Sequence, residues 1–201
     1  TPTGLRIPGV QPFSWETSAG DSILHAATVR LRRRLQKGVS FGGSYTFSKS
    51  IDNASNIGGG ASIVAQDAVD LAAERGPSSF DQRHRLNLDY VVELPFGHDK
   101  HWLSSASMFR SLFGDWQWSG TWNLASGNPF TARVLGSFSD VNRGSSGSLR
   151  ANSTGLPADI PDPSTALWFN TAAFTVPAPG QFGNVGRNTI RGPGTALAGM
   201  S

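Results

Sequence analysis

The chain has 201 residues, no cysteine, 24 glycines, 12 prolines and a formal net charge of +3. Without cysteine it has neither a disulfide framework nor a thiolate metal centre, the modest charge does not by itself call for nucleic acid, and no apolar run approaches the roughly 20 residues of a transmembrane helix. Frequent Gly and Pro with only 15% charged residues suit a β protein with long loops.

Residues 1–20 are punctuated by Pro and Gly and read as loop. A first strand is predicted over 22–35, with Ala27, Val29, Leu31 and Leu35 on one side and Thr28, Arg30, Arg32 and Arg34 on the other. Gln36-Lys37-Gly38 is a tight-turn signal. The alternation resumes over 39–50, setting Val39, Phe41, Tyr45 and Phe47 against Ser40, Gly42, Ser44, Thr46, Ser48 and Ser50, so these two runs form a predicted hairpin. A long loop follows over 51–82, with a short predicted helix in 65–75. The third strand, 83–94, places Arg83, Arg85, Asn87, Asp89 and Glu93 on one side and Leu86, Leu88, Tyr90, Val92 and Leu94 on the other. Pro95-Phe96-Gly97 stops it, and 98–115 reads as a long turn with an amphipathic helical pattern. The fourth strand, 116–124, sets Trp116, Trp118, Trp122 and Leu124 against Gln117, Ser119, Thr121 and Asn123. A shorter alternating run, 130–135, falls below the about 9–11 residues of a bilayer-crossing strand and reads as a strand extension. Residues 136–194 form a second long polar loop, and 195–201 begins a further strand.

A strand with one apolar and one ionic side suits either a soluble antiparallel sheet or the wall of a membrane barrel, with lipid on one side and a wet lumen on the other. Several of these runs exceed the typical globular strand of about 5–6 residues. The aromatics Phe47, Phe96, Trp102, Trp116, Trp118 and Phe130 sit near strand ends, where an interfacial girdle belongs. A tight turn alternates with long loops, the asymmetry of outer-membrane barrels. The expected fold is therefore all-β: an antiparallel transmembrane β-barrel segment, about five strands of a larger barrel, spanning 1–201 with long loops. So few strands cannot close, and an open edge is not tolerated in lipid. A soluble β-sandwich binding glycans through its tryptophans is the alternative.

The polar sides carry the candidate lumen residues Arg30, Arg32, Arg34, Arg83, Arg85, Asp89 and Glu93. Two readings stand for the arginines of the first strand: a cationic lumen lining that contacts a plug or an anionic solute, or a solvated sheet face. Asp81, Arg83 and Arg85 are candidates for a salt-bridged belt at the foot of the first long loop. Asp52, Asp67, Asp70, Glu74 and Asp81 lie in that loop with no EF-hand spacing, leaving solvated loop charge or a hard-cation site. His98 and His101 lack an evident third metal ligand. Gly58-Gly59-Gly60 lacks the Gly-Lys-Ser/Thr ending of a phosphate loop. Neither an enzyme nor a cofactor is expected.

Five stretches carry a resemblance. They are Phe41-Gly42-Gly43-Ser44-Tyr45-Thr46-Phe47-Ser48; Phe80-Asp81-Gln82-Arg83-His84-Arg85, running on to Glu93-Leu94-Pro95-Phe96-Gly97; Asp115-Trp116-Gln117-Trp118; Ser126-Gly127-Asn128-Pro129-Phe130; and Phe182-Gly183-Asn184-Val185-Gly186-Arg187-Asn188-Thr189-Ile190-Arg191-Gly192-Pro193-Gly194. In that order the chain resembles the C-terminal barrel of TonB-dependent outer-membrane receptors, Oar-like branch. The resemblance implies a barrel of about 22 strands around a plug, in the outer membrane of a Gram-negative-type bacterium. It implies as partners the lipid bilayer, lipopolysaccharide, the receptor's own plug domain, the TonB complex and a large or scarce solute, with no nucleic acid. Ligand capture would fall to the loops 51–82 and 136–194. A passive pore or a surface adhesin on a similar barrel is the runner-up.

Overall fold

The computed structural model describes residues 18–54, 65–67, 70–98, 100, 102, 112, 114–134 and 149–201. Its strands in chain order are β1 (Ser22–Gln36), β2 (Val39–Asp52), β3 (Gly76–Pro77), β4 (His84–Glu93), β5 (Gln117–Ala125), β6 (Pro129–Phe130), β7 (Asn152–Ser153), β8 (Phe174–Thr175), β9 (Ile190–Arg191) and β10 (Thr195–Met200). The main sheet is ordered β1-β2-β4-β5-β10, its last member the six-residue Thr195–Met200 rather than the run 130–135, with β3 paired to the end of β2. The described pairings are antiparallel. Contacts divide the chain into two compact units: Thr1–His25, Lys49–Asp81 and Asn128–Pro193 form one, and Ala26–Ser48, Gln82–Gly127 and Gly194–Ser201 form the other.

The second unit is the wall. The turn joining β1 to β2 has positive φ at both Lys37 (54°) and Gly38 (76°), the type I′ geometry whose twist matches a hairpin. Register then sorts the side chains. One side stacks the rows Val39–Val92–Trp118, Phe41–Tyr90–Gly120, Gly43–Leu88–Trp122 and Tyr45–Leu86–Leu124. The other side stacks Gly42–Asp89–Thr121, Ser44–Asn87–Asn123 and Thr46–Arg85–Ala125. Gly120 is small because its neighbour is large: a Cβ there would lie 2.6 Å from the Tyr90 hydroxyl. The Tyr90 ring meets Trp118 edge-on at 5.8 Å. Among the described residues the apolar side stays open. Trp118 keeps 49% of its surface, Phe47 45% and Trp122 38%. A sandwich would bury these rings against a second sheet.

The first unit holds the buried apolar residues of the described chain, Leu149, Ala151, Ala173, Val185 and Ile190. Three short pairings frame it: β3 with Ile51–Asp52, β6 with β9, and β7 with β8. The rings of Phe130, Phe169 and Phe174 pack edge to face in series at 5.8 Å.

Two local expectations change. The helix expected in 65–75 is one 3-10 turn, Leu71–Glu74, capped by Asp70 accepting from the Ala73 amide. It stops because Arg75 is extended and Gly76 precedes a proline, which disfavours the helical region. The run 130–135 is not one strand. Pro129–Phe130 pairs with Ile190–Arg191, and Arg133 bridges Arg150. The helical pattern expected in 98–115 falls mostly outside the described residues; among the described ones, Phe96 bridges Trp102 and Trp116 donates its indole N–H to the Leu112 carbonyl at 3.0 Å.

Candidate functional site

In the wall, Arg85, Asp89 and Glu93 share the polar side of β4. The Thr28 and Thr46 hydroxyls are 3.0 Å apart, which places Thr28 on that same side. By strand alternation, Arg30, Arg32 and Arg34 follow it there, all exposed. Asp89 leans over Gly42: a Cβ on Gly42 would meet its carboxylate at 2.5 Å. Lys100 pairs with Glu93 at 2.5 Å. Arg85 donates to the Gln82 side chain at 2.6 Å. On the apolar side, Trp116 and Trp118 mark one end together with the stacked Phe96 and Trp102 rings, 5.5 Å apart. Tyr45, Phe47 and His84 mark the other. Ten residues of β-strand separate Trp116's level from His84's, about 34 Å of strand length. At the usual tilt this matches an apolar band of about 25 Å between two girdles.

The long connections β2-to-β4 and β5-to-β10 form the first unit, and buried charge holds it together. Arg187 ion-pairs with Asp52, and both side chains are nearly buried at 6% and 5% exposure. Its Nε donates to the Glu74 carbonyl at 2.6 Å. Arg150 pairs with the Glu74 carboxylate at 3.5 Å and donates to the Ala73 carbonyl at 3.2 Å. Arg191 pairs with Asp81, whose other oxygen accepts the Ser50 amide at 2.7 Å. Each pair therefore joins a carboxylate of one connection to a guanidinium of the other. Gln66 repeats the pattern with neutral groups. Its Oε1 accepts from the amides of Arg150 (2.7 Å) and Gly183 (3.2 Å), and its Nε2 donates to the Gly183 carbonyl (2.9 Å). Asn188 donates to the Pro77 carbonyl at 2.7 Å.

Three of the five carboxylates left open for a hard cation, Asp52, Glu74 and Asp81, thus face guanidinium groups. Among the described residues no cluster of three or more metal-type side chains occurs. An open cleft of about 380 Å³ lies in this unit, lined by Asp67, Asp70, Arg150, Phe182, Asn184 and Val185 among others. Its wall mixes carboxylate, guanidinium, amide and ring. Of the predicted site residues, Asp81 and Phe130 belong to this unit, and the others sit in the wall. Sequence reasoning did not single out Arg150, Arg187 and Arg191. For Arg187 and Arg191 the only signal was the Arg187-Asn188-Thr189-Ile190-Arg191 run inside the resembling stretch, and Arg150 had none.

Searches of curated proteins and of solved structures find no match to this chain. The family model described as outer membrane beta barrel domain matches residues 2–201. The described residues form an all-β antiparallel sheet, unclosed within this chain, with an exposed apolar side between two aromatic levels, and by the family match the chain belongs to the outer membrane beta barrel domain family and to the outer membrane.

Proposed function

We propose that this chain is part of the barrel of a TonB-dependent outer-membrane receptor, Oar-like, which binds and takes up a large or scarce solute. The observation that carries the reading is the construction of the first unit. Two long connections are tied by three guanidinium–carboxylate pairs into one body with an open cleft. A passive pore needs no such body, whereas a receptor gains from a binding surface ordered before its ligand arrives. The motif order from Phe41 to Gly194 adds support.

In this reading the Lys37–Gly38 turn faces the periplasm and the long connections face outward, following the general barrel asymmetry. Arg30, Arg32, Arg34, Arg85 and Asp89 line the lumen, where the partner is the receptor's own plug. The cleft residues meet the solute, and TonB pulls the plug to admit it. The function is capture and passage, with no catalysis, cofactor or nucleic acid. The test compares solute-dependent growth or binding by the intact protein in cells with and without TonB. Uptake lost with TonB supports the receptor. Uptake unchanged without TonB means a pore, and binding with no uptake in either strain means an adhesin.

A further inference from the structure

On the apolar side of the wall, the row Phe47–His84–Ser126 ends the lipid-facing rows at the end from which the long connections leave. His84 is exposed and shares its side with Leu86, Leu88, Tyr90 and Val92. An imidazole has no place in hydrocarbon, so this row lies at the headgroup level. The ring is held in one orientation. The Tyr45 hydroxyl lies 2.7 Å from Nδ1, the two rings stack at 6.2 Å, and Phe47 packs against the imidazole at 5.3 Å. In the tautomer whose Nδ1 accepts the tyrosine proton, Nε2 carries the hydrogen and is the donor left for a partner outside the protein. In the paired rows of β2, β4 and β5 no carboxylate shares this side, so no acidic group of those rows competes for the imidazole.

We propose that the Tyr45–His84 pair binds a phosphate group of lipopolysaccharide, on its lipid A moiety, in the outer leaflet. Lipid A is chosen because the long connections leave the wall at this level, which the orientation given under Proposed function places outside. Tyr45 acts as the positioning residue and His84 as the phosphate contact. The intact protein is purified in detergent and titrated with lipid A, with dephosphorylated lipid A and with phosphatidylglycerol, reading bound lipid by native mass spectrometry. His84→Phe keeps the ring packing and is expected to lower lipid A affinity about five-fold. His84→Lys restores it, and Tyr45→Phe gives a smaller loss. Dephosphorylated lipid A binds wild type and His84→Phe equally. Heat-modifiable gel mobility confirms that each variant retains its barrel.

Equal lipid A affinity for wild type and His84→Phe overturns the proposal. So does a His84→Phe loss seen with phosphatidylglycerol and not with lipid A. TonB-independent uptake would end the receptor reading and leave the lipid A result untouched.

Discussion

The two units are built inside out with respect to each other. The wall leaves Trp118, Trp122, Phe41, Tyr45 and Leu88 exposed, while the unit of connections buries Asp52, Glu74, Asp81, Arg150 and Arg187. Hydrophobic burial organises a body in water. In lipid it has nothing to act on, and backbone pairing with side-chain packing must serve instead. The wall therefore satisfies its backbone by strand register and spends its large side chains on the solvent. The connections, rich in Gly, Asn and Pro, have few apolar groups to bury, so charge pairs specify which segments meet. A buried pair is not a net gain in itself, since desolvation offsets most of its attraction. Its force is felt when one partner is removed.

That sets the largest expected effect. Arg187→Met strands the Asp52 carboxylate and costs about 3–5 kcal/mol. Both segments joined by the pair should lose protection together in hydrogen exchange, at 49–54 and at 182–193. The double variant Asp52→Leu/Arg187→Met should recover much of the loss, because no charge is left alone. Loss from both changes that merely adds would mean that the pair does not act as a unit. Wall amides should not respond.

The wall is probed by adjacent residues of β4. Leu88 lies on the apolar side between Gly43 and Trp122, and Asn87 lies on the polar side between Ser44 and Asn123. Leu88→Arg should cost about 2–4 kcal/mol in urea-titrated folding into vesicles, and Asn87→Arg about 0.5 kcal/mol or less. Equal costs would remove the lipid–lumen distinction on which the fold assignment rests. A smaller effect belongs to the other unit again. Gly183→Ala would bring a Cβ to 1.9 Å of the Arg150 carbonyl oxygen, a backbone atom that cannot swing aside. The shift should cost about 1–3 kcal/mol and appear as weakened exchange protection near Arg150 and Ala151.

The same contrast explains what was legible in the sequence. The wall could be read because alternation is local: Leu86, Leu88, Tyr90 and Val92 declare their side by spacing alone. Even the strand beginning at Thr195, which joins β5, followed from it. The connections could not be read, because their order rests on pairs such as Arg187–Asp52, separated by 135 residues with no periodicity between them. The ion pair of Asp81 with Arg191 likewise joins residues 110 apart in sequence. The run 130–135 misled for the same reason. Its alternation was locally sound, but β9 and Arg150 divide it.

The smallest effect isolates the local signal itself. The β1–β2 turn has two left-handed residues, and only one of them is glycine. At Gly38 a Cβ would also press the Glu93 carbonyl oxygen at 3.3 Å, so Gly38→Ala combines αL strain with a tight contact and should cost about 1–2 kcal/mol. At Lys37 the strain is already present, and Lys37→Asn should relieve part of it, gaining a few tenths of a kcal/mol, roughly 0.5, because asparagine tolerates the αL region. Two substitutions in one turn should thus move wall stability in opposite directions, by amounts set by backbone geometry alone. The same sign for both would mean that the type I′ turn is not what holds the register of β1 against β2. Neither should alter exchange in the Arg187–Asp52 unit, whose order depends on charge pairing rather than on this hairpin.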